Sequence, residues 1–84
     1  MKKIIMYSGP MCNFCEAAKR LLERNNLKYE VIDISTEESL RDEMIKKSNG
    51  KRTIPQIFFE NHHIGGYVEL RELEKNNKLL SSLE

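Results

Sequence analysis

Short apolar segments alternate with segments of helical periodicity along all 84 residues, and this alternation constrains the fold more than any other feature of the chain. Runs of apolar and β-branched residues predict strands, whereas apolar residues at helical spacing predict amphipathic helices. In the first half these patterns predict a strand, a helix, a strand and a helix over 3–7, 12–25, 29–34 and 37–47. Ser35 and Glu38 match a capping box at the start of the second helix, in which the Ser35 hydroxyl serves the Glu38 amide and the Glu38 carboxylate reaches back.

The second half of the chain predicts two more strands and two more helical segments. The strands are expected at 57–59 and 63–64, with a hairpin turn between them at 61–62. One helical segment is expected around Leu70 and Leu73, and the other at 79–83. A strand–helix–strand unit favours a parallel crossover, and a hairpin adds antiparallel strands to the same sheet. We therefore predict an α/β fold with a four-stranded mixed sheet (βαβ then ββα) and helices on both faces, in one domain over residues 1–84.

Charge and hydropathy exclude several classes of protein. The 14 basic and 13 acidic residues leave a net charge of +1, which is unlike the strongly basic surface of a nucleic-acid-binding domain. No stretch approaches the roughly 20 apolar residues of a membrane span, and Pro10 and Cys12 follow the first apolar run too closely for a signal peptide. We therefore expect a cytoplasmic protein that binds neither nucleic acid nor membrane. Two cysteines in such a reducing compartment more often carry out redox or metal chemistry than staple a fold.

The segment Cys12-Asn13-Phe14-Cys15 lies just after the first predicted strand and opens the first predicted helix. Disulfide exchange needs a thiolate, which free cysteine, with a pKa of about 8.5, supplies poorly at neutral pH. The unpaired amides and partial positive charge of a helix N-terminus stabilise an anion, and in such motifs the cysteine pKa falls to roughly 3.5–7.5. Cys12 is therefore predicted to be the nucleophile. Cys15, one turn later on the same face, is predicted to resolve a mixed disulfide on Cys12.

The alternative for the cysteine pair is half of a zinc site, which needs about four ligands at set spacings. The other candidates, His62 and His63, are neighbours in the predicted hairpin and cannot readily converge on one ion with both cysteines. The sequence therefore favours redox chemistry and predicts no metal site. We interpret the two histidines as turn and edge residues, and Met6, Met11 and Met44 as packing in the core or at its rim.

Pro55 stands at the start of a predicted strand. Proline lacks an amide donor and therefore marks a sheet edge or the first residue of a strand. The bond before a proline is also the one place where a cis peptide is readily found. If Ile54–Pro55 is cis, the backbone of Ile54 turns outward and can pair with an extended peptide. A proline that simply begins a strand is the alternative.

Three motifs follow one another along the chain: Cys12-Asn13-Phe14-Cys15, Thr53-Ile54-Pro55-Gln56-Ile57-Phe58 and Ile64-Gly65-Gly66. In this order and at these separations they resemble glutaredoxin, a family of the thioredoxin-fold superfamily, over essentially the whole chain. The resemblance implies a thioredoxin-like fold, a cis Pro55 and a redox-active disulfide. It also implies that the protein reduces protein disulfides and glutathione mixed disulfides at the expense of glutathione. We expect a monomer whose partners are glutathione and disulfide-bearing or glutathionylated client proteins.

A glutathione groove is a further implication of the resemblance. The residues expected to form it are Lys51, Arg52, Thr53, Ile54, Pro55, Gly66, Tyr67, Val68 and Glu69. The cysteinyl part of glutathione would pair with the Ile54 backbone, and the γ-glutamyl end would lie along residues 66–69. The glycine carboxylate would meet Lys51 or Arg52. An anionic peptide needs a strand edge, a glycine-lined approach and basic groups, which these positions supply.

The chain departs from the usual glutaredoxin pattern at three places. Asn13 and Phe14 replace the usual proline and tyrosine between the cysteines, which leaves the loop less rigid. Gly9 stands where the family usually has a lysine, so that the helix terminus is the main source of thiolate stabilisation. After the glycine pair, where one or two aspartates are common, Val68 is followed by Glu69, which is left as the only carboxylate for the glutathione ammonium group.

Two other functions remain open from the sequence. One is a dimer that holds a [2Fe–2S] cluster through Cys12 and glutathione, as some glutaredoxins do when the proline after the first cysteine is absent. The other is a redoxin recycled by thioredoxin reductase. Gly9 in place of the usual lysine favours this second function, whereas Lys51, Arg52 and the glycine pair count against it.

Overall fold

Four strands and four helices make up the computed structural model, which describes residues 1–84. They are β1 Ile4–Ser8, α1 Asn13–Arg24, β2 Glu30–Asp33, α2 Glu38–Lys47, β3 Gln56–Phe59, β4 His62–Gly65, α3 Tyr67–Lys75 and α4 Leu79–Ser82. Their order agrees with the sequence prediction. No helix has the length and apolar character needed to cross a membrane.

The strands form one mixed sheet in the order β2-β1-β3-β4. β1 pairs with β2 in parallel and with β3 antiparallel, and β3 pairs antiparallel with β4. The predicted four-stranded mixed sheet is therefore confirmed. Because β1 and β3 run in opposite directions, with Tyr7 paired to Gln56, the end of β1 and the start of β3 lie at the same edge of the sheet. This register brings the segment after Ser8 next to the segment before Gln56.

The sheet has a hydrophobic core on each face, because successive side chains of a strand point to opposite sides. On one side Ile4 and Met6 of β1 pack with residues of α1, α3 and α4. On the other side Tyr7 of β1 packs with Phe58 of β3 and Met44 of α2. Helices therefore cover both faces, as predicted.

The predicted capping box at the start of α2 is wrong. The helix begins after Glu37, and no side chain caps it. The Ser35 hydroxyl instead donates to the Asp33 carboxylate at 2.6 Å, and the Ser35 amide donates to the same oxygen at 2.8 Å. An aspartate two residues earlier offers a nearby acceptor that competes with the cap. The two bonds from Ser35 also lower the pKa of Asp33.

The hairpin turn also differs from the prediction, by one residue. The turn residues are Glu60 and Asn61, and His62 already belongs to β4. Glu60 adopts a left-handed conformation with φ of 56°. Its amide donates to the Lys3 carbonyl at 2.8 Å, so that pairing between β1 and β3 continues one residue further than the sequence pattern indicates.

Candidate active site

The cysteine pair lies where β1 leads into α1, and its two sulfurs form a disulfide in the structure. Cys12 occupies the N-cap position of α1, and Cys15 lies in its first turn. The Cys15 amide donates to the Cys12 Sγ at 3.1 Å. Cys15 is fully buried, whereas Cys12 is half-buried. A partner arriving from solution therefore reaches the Cys12 sulfur before the Cys15 sulfur.

The N-terminus of α1 provides the positive potential at Cys12. The amides of Asn13 and Phe14 have no acceptor within the protein, as is usual in the first turn of a helix. Such amides, together with the helix dipole, favour a negative charge on a capping atom. Glu16 adds an opposing charge in the same turn, but its carboxylate pairs with the Lys19 ammonium at 3.1 Å. The helix terminus is thus a suitable place for a thiolate.

The segment before β3 faces the cysteine pair. The Ile54–Pro55 peptide bond is cis, which confirms the expectation drawn from the family resemblance. The Ile54 carbonyl oxygen lies 3.7 Å from the Cys12 Sγ. Neither the amide nor the carbonyl of Ile54 bonds to another backbone group of the protein. An unpaired backbone edge therefore lies directly beside the exposed sulfur.

A depression of about 360 Å³ begins at Thr53, the residue before Ile54, and reaches the start of α3. Its lining residues are Lys51, Thr53, Gln56, His63, Ile64, Gly65, Gly66 and Glu69. Four of the residues predicted for the groove are among them, namely Lys51, Thr53, Gly66 and Glu69. The other five predicted residues do not line it, namely Arg52, Ile54, Pro55, Tyr67 and Val68. Of the two predicted cations, only Lys51 therefore faces the depression.

The glycine pair allows a close approach between β4, α3 and Pro55. A Cβ atom on Gly66 would lie 3.3 Å from the Pro55 carbonyl oxygen. Gly65 has φ of 127°, and a Cβ atom there would lie 2.7 Å from Oε1 of Glu69. That same oxygen accepts a bond from the Gly66 amide at 2.7 Å. The Glu69 carboxylate is thus held at the N-terminus of α3, on the rim of the depression.

The structure adds four residues to the predicted lining, Gln56, His63, Ile64 and Gly65, and two of them, Gln56 and His63, have polar side chains. The Gln56 side chain is buried, and its Oε1 lies 2.7 Å from Nε2 of His63. Burial lowers the pKa of His63, Lys51 lowers it further, and Glu69 acts in the opposite direction. One signal was available in the sequence: Gln56 is the only polar residue of the strand Gln56–Phe59, and a buried amide in an apolar strand needs a polar partner.

Exposed apolar side chains surround Cys12. The Met11 side chain is fully exposed, so that the prediction of core or rim packing is wrong for this methionine. Met6 and Met44, by contrast, are buried as expected. Phe14 is also exposed, and its ring stacks on the Tyr67 ring with the centroids 5.9 Å apart. Tyr67 thus contacts Phe14 at the start of α1 and does not line the depression.

The donor set does not fit a metal ion held by this chain. No group of three or more His, Cys, Asp or Glu side chains is placed to coordinate one. His62, which is exposed, makes no side-chain hydrogen bond, and His63 bonds to Gln56. Any metal centre would therefore need ligands from outside the chain.

Comparisons of the sequence and of the structure with known proteins both find glutaredoxins. Residues 4–64 match the family model of glutaredoxin, a range that includes the cysteine pair and Pro55. Glutaredoxin 1 of Rickettsia conorii is 46% identical over 83 residues, which cover 96% of this chain and 80% of that protein. The solution structure of glutaredoxin from Brucella melitensis has a TM-score of 0.86 at 41% identity, covering 99% of this chain and 89% of that one. The crystal structure of a buckwheat glutaredoxin–glutathione complex has a TM-score of 0.87 at 25% identity, covering 98% and 76%.

Proposed function

Because this chain belongs to the glutaredoxin family of thiol–disulfide oxidoreductases, with the thioredoxin-like fold of that family, we propose that it reduces disulfides with glutathione as the electron donor. The observation that carries the proposal is the position of the Cys12 sulfur. It caps the N-terminus of α1, it is the more exposed sulfur of the pair, and it lies 3.7 Å from the unpaired edge at Ile54. A thiolate nucleophile and an extended cysteinyl substrate can meet there.

On a glutathionylated protein the reaction needs only Cys12. Its thiolate attacks the glutathione sulfur, a bond forms between these two sulfurs, and the protein thiolate leaves and takes up a proton. A second glutathione, as thiolate, then attacks the glutathione sulfur of this mixed disulfide. Oxidised glutathione is released, made of the glutathione from the substrate and the second glutathione, and the Cys12 thiolate is regenerated. The net reaction therefore consumes one free glutathione for each mixed disulfide reduced.

On a protein disulfide the reaction uses both cysteines. The Cys12 thiolate attacks one client sulfur, and the other client sulfur leaves as a thiolate. Cys15 then attacks the Cys12 sulfur, which releases the reduced client and forms the Cys12–Cys15 disulfide that the structure contains. Because Cys15 is buried one helical turn away, it is placed to react with a disulfide on Cys12 rather than with a client directly. Two glutathione molecules restore the dithiol.

Glutathione is proposed to bind across the Ile54 backbone and the depression that begins at the neighbouring Thr53. Its cysteinyl backbone would pair with the free amide and carbonyl of Ile54, as an added strand does. Its γ-glutamyl end would lie at the start of α3, where the first-turn amides favour a carboxylate and Glu69 can meet the ammonium group. Its glycine carboxylate would meet Lys51, the predicted cation that lines the depression. The related buckwheat protein was solved as a glutathione complex.

The test is a turnover assay coupled to glutathione and glutathione reductase, with one glutathionylated peptide and one disulfide-bonded protein as substrates. Cys12→Ser is expected to abolish both activities, because no nucleophile remains. Cys15→Ser is expected to keep reduction of the glutathionylated peptide and to lose most reduction of the protein disulfide. The opposite pattern would overturn the assigned roles. If the wild-type protein is recycled by thioredoxin reductase but not by glutathione, the proposed electron donor is wrong.

An iron–sulfur dimer is the rival function suggested by Asn13 in place of proline. Cys12 is the more exposed of the two cysteines, and no set of three donors accompanies it. A second copy and glutathione would have to complete the coordination. A brown dimer after anaerobic reconstitution would favour this rival, whereas a colourless monomer with turnover in the coupled assay would support the oxidoreductase.

A further inference from the structure

Gln56 carries a buried amide that is fully engaged in hydrogen bonds along the floor of the depression. Only 3% of this residue is exposed. Its Nε2 donates to the Thr53 carbonyl oxygen at 3.0 Å and to the Thr53 hydroxyl at 3.2 Å. Because a buried amide is costly without partners, these bonds hold the Gln56 side chain in one orientation. That orientation turns its Oε1 toward β4.

His63 of β4 completes the hydrogen bonding of this amide. Its Nε2 lies 2.7 Å from the Gln56 Oε1. Since the Gln56 Nε2 is already bound to Thr53, its Oε1 must accept, and the His63 Nε2 must carry the hydrogen. The His63 ring also lies against the Phe58 ring, with the centroids 4.9 Å apart. Both the position of the imidazole and its tautomer are therefore determined by the neighbouring groups.

The chain of contacts from His63 through Gln56 to Thr53 ends at the residue before Ile54. Thr53 has its carbonyl and hydroxyl bound on the inner side, and Ile54 has its amide and carbonyl free beside the Cys12 sulfur. A rigid side-chain network of this kind can hold a binding segment in its productive geometry. We infer that His63 and Gln56 are positioning residues, which hold the backbone of Ile54 in the conformation that pairs with the cysteinyl part of glutathione.

This inference rests on the proposed function but makes a separate claim, because neither side chain needs to touch the reacting sulfurs. The N–H donor of His63 is predicted to be needed for this positioning, whereas a charge on the ring is not. A side chain of similar length with an N–H donor should therefore replace it, whereas a ring without a donor should not. Loss of the donor would leave the buried Gln56 oxygen without a partner and free the amide to turn away from Thr53.

The experiment compares His63→Phe with His62→Phe, the same change one residue earlier at an exposed side chain that has no hydrogen bond. His63→Phe keeps a ring against Phe58 and removes the donor. We expect the KM for a glutathionylated peptide to rise about tenfold with kcat within about twofold, because the loss is one of binding and not of chemistry. His62→Phe should leave both constants unchanged, and His63→Gln should restore most of the wild-type KM.

The chemical shift and hydrogen exchange of the Ile54 amide provide a readout that needs no glutathione. Both should change in folded His63→Phe and return toward wild type in His63→Gln. An unchanged Ile54 amide, or equal KM values for the two phenylalanine variants, would overturn the inference, as would a failure of His63→Gln to restore binding. If the wild-type protein shows no turnover with glutathione, the proposed function fails, and the Ile54 amide still decides whether His63 positions this segment.

Discussion

Replacing Glu74 with glutamine is expected to weaken the contact between the end of α1 and α3, because this carboxylate accepts most of the polar bonds that join them. Arg24 donates to its two oxygens at 2.7 and 3.0 Å, and the Asn25 side chain donates at 2.8 Å. Arg71, on the same helix as Glu74, adds an ion pair at 3.4 Å. The Glu74 side chain is only 19% exposed, so that solvent screens these interactions less than on an open surface.

The size of the effect follows from the pKa of Glu74. This pKa is lowered from 4.5 to about 2, mainly by the hydrogen bond from Arg24. The bond from Asn25 and the charges of Arg24 and Arg71 also lower it, and burial acts in the opposite direction. The difference of about 2.5 units corresponds to a ceiling of about 3.4 kcal/mol at about 1.36 kcal/mol per unit. Because the Arg24 side chain is half exposed, we expect about 1–2 kcal/mol of unfolding free energy to be lost. For a domain of this size that lowers Tm by roughly 5–15 °C.

The assay is urea denaturation of wild type, Glu74→Gln and the control Glu72→Gln, an exposed glutamate on the same helix without an ion pair. At pH 7 only Glu74→Gln should be destabilised. A carboxylate whose pKa is lowered by folding stabilises the folded state above its unfolded pKa, and this contribution is lost as the pH falls through the folded pKa. The gap between wild type and Glu74→Gln should therefore close between about pH 4.5 and about pH 2. A gap that stays constant over this range, or equal losses in the two variants, would refute the reasoning.

Two further substitutions test the glycines of the site. Gly65→Ala is expected to cost roughly 1–3 kcal/mol in urea denaturation, because φ is 127° and the new Cβ would lie 2.7 Å from the Glu69 carboxylate. Gly50→Ala, which has a positive φ but open space around it, should cost less, and equal losses would rule out the collision as a cause. Gly9→Lys is expected to tighten glutathione binding about three- to tenfold in calorimetry, because it adds a cation at the site. Its Cβ would lie 3.0 Å from the flexible end of the Ile54 side chain and 3.9 Å from Cγ1 of Ile34. We therefore expect little change in Tm, and a large loss would contradict this expectation.

Most of the fold and the reactive centre could be predicted from local pattern. The continuous apolar run of β1 predicted a buried strand, and Ile4 and Tyr7 do lie in two different cores on opposite faces of the sheet. The cysteine pair after that strand predicted a sulfur at a helix start, and Cys12 is the N-cap residue of α1. These features depend on backbone geometry over a few residues, which periodicity and capping preferences report directly.

Long-range contacts decided the rest of the site. The packing of β4 and α3 against the segment before β3 decides which of Lys51 and Arg52 faces the depression. It also decides which group the buried Gln56 side chain bonds to. Gln56 and His63 are seven residues apart, and their meeting requires the β3–β4 hairpin with its register shift at Ile57 and Phe58. Local sequence patterns determine which face of an element is apolar and where a helix begins. The partners of individual polar side chains are set only when the elements pack, because a hydrogen bond needs its two atoms within about 3 Å of each other.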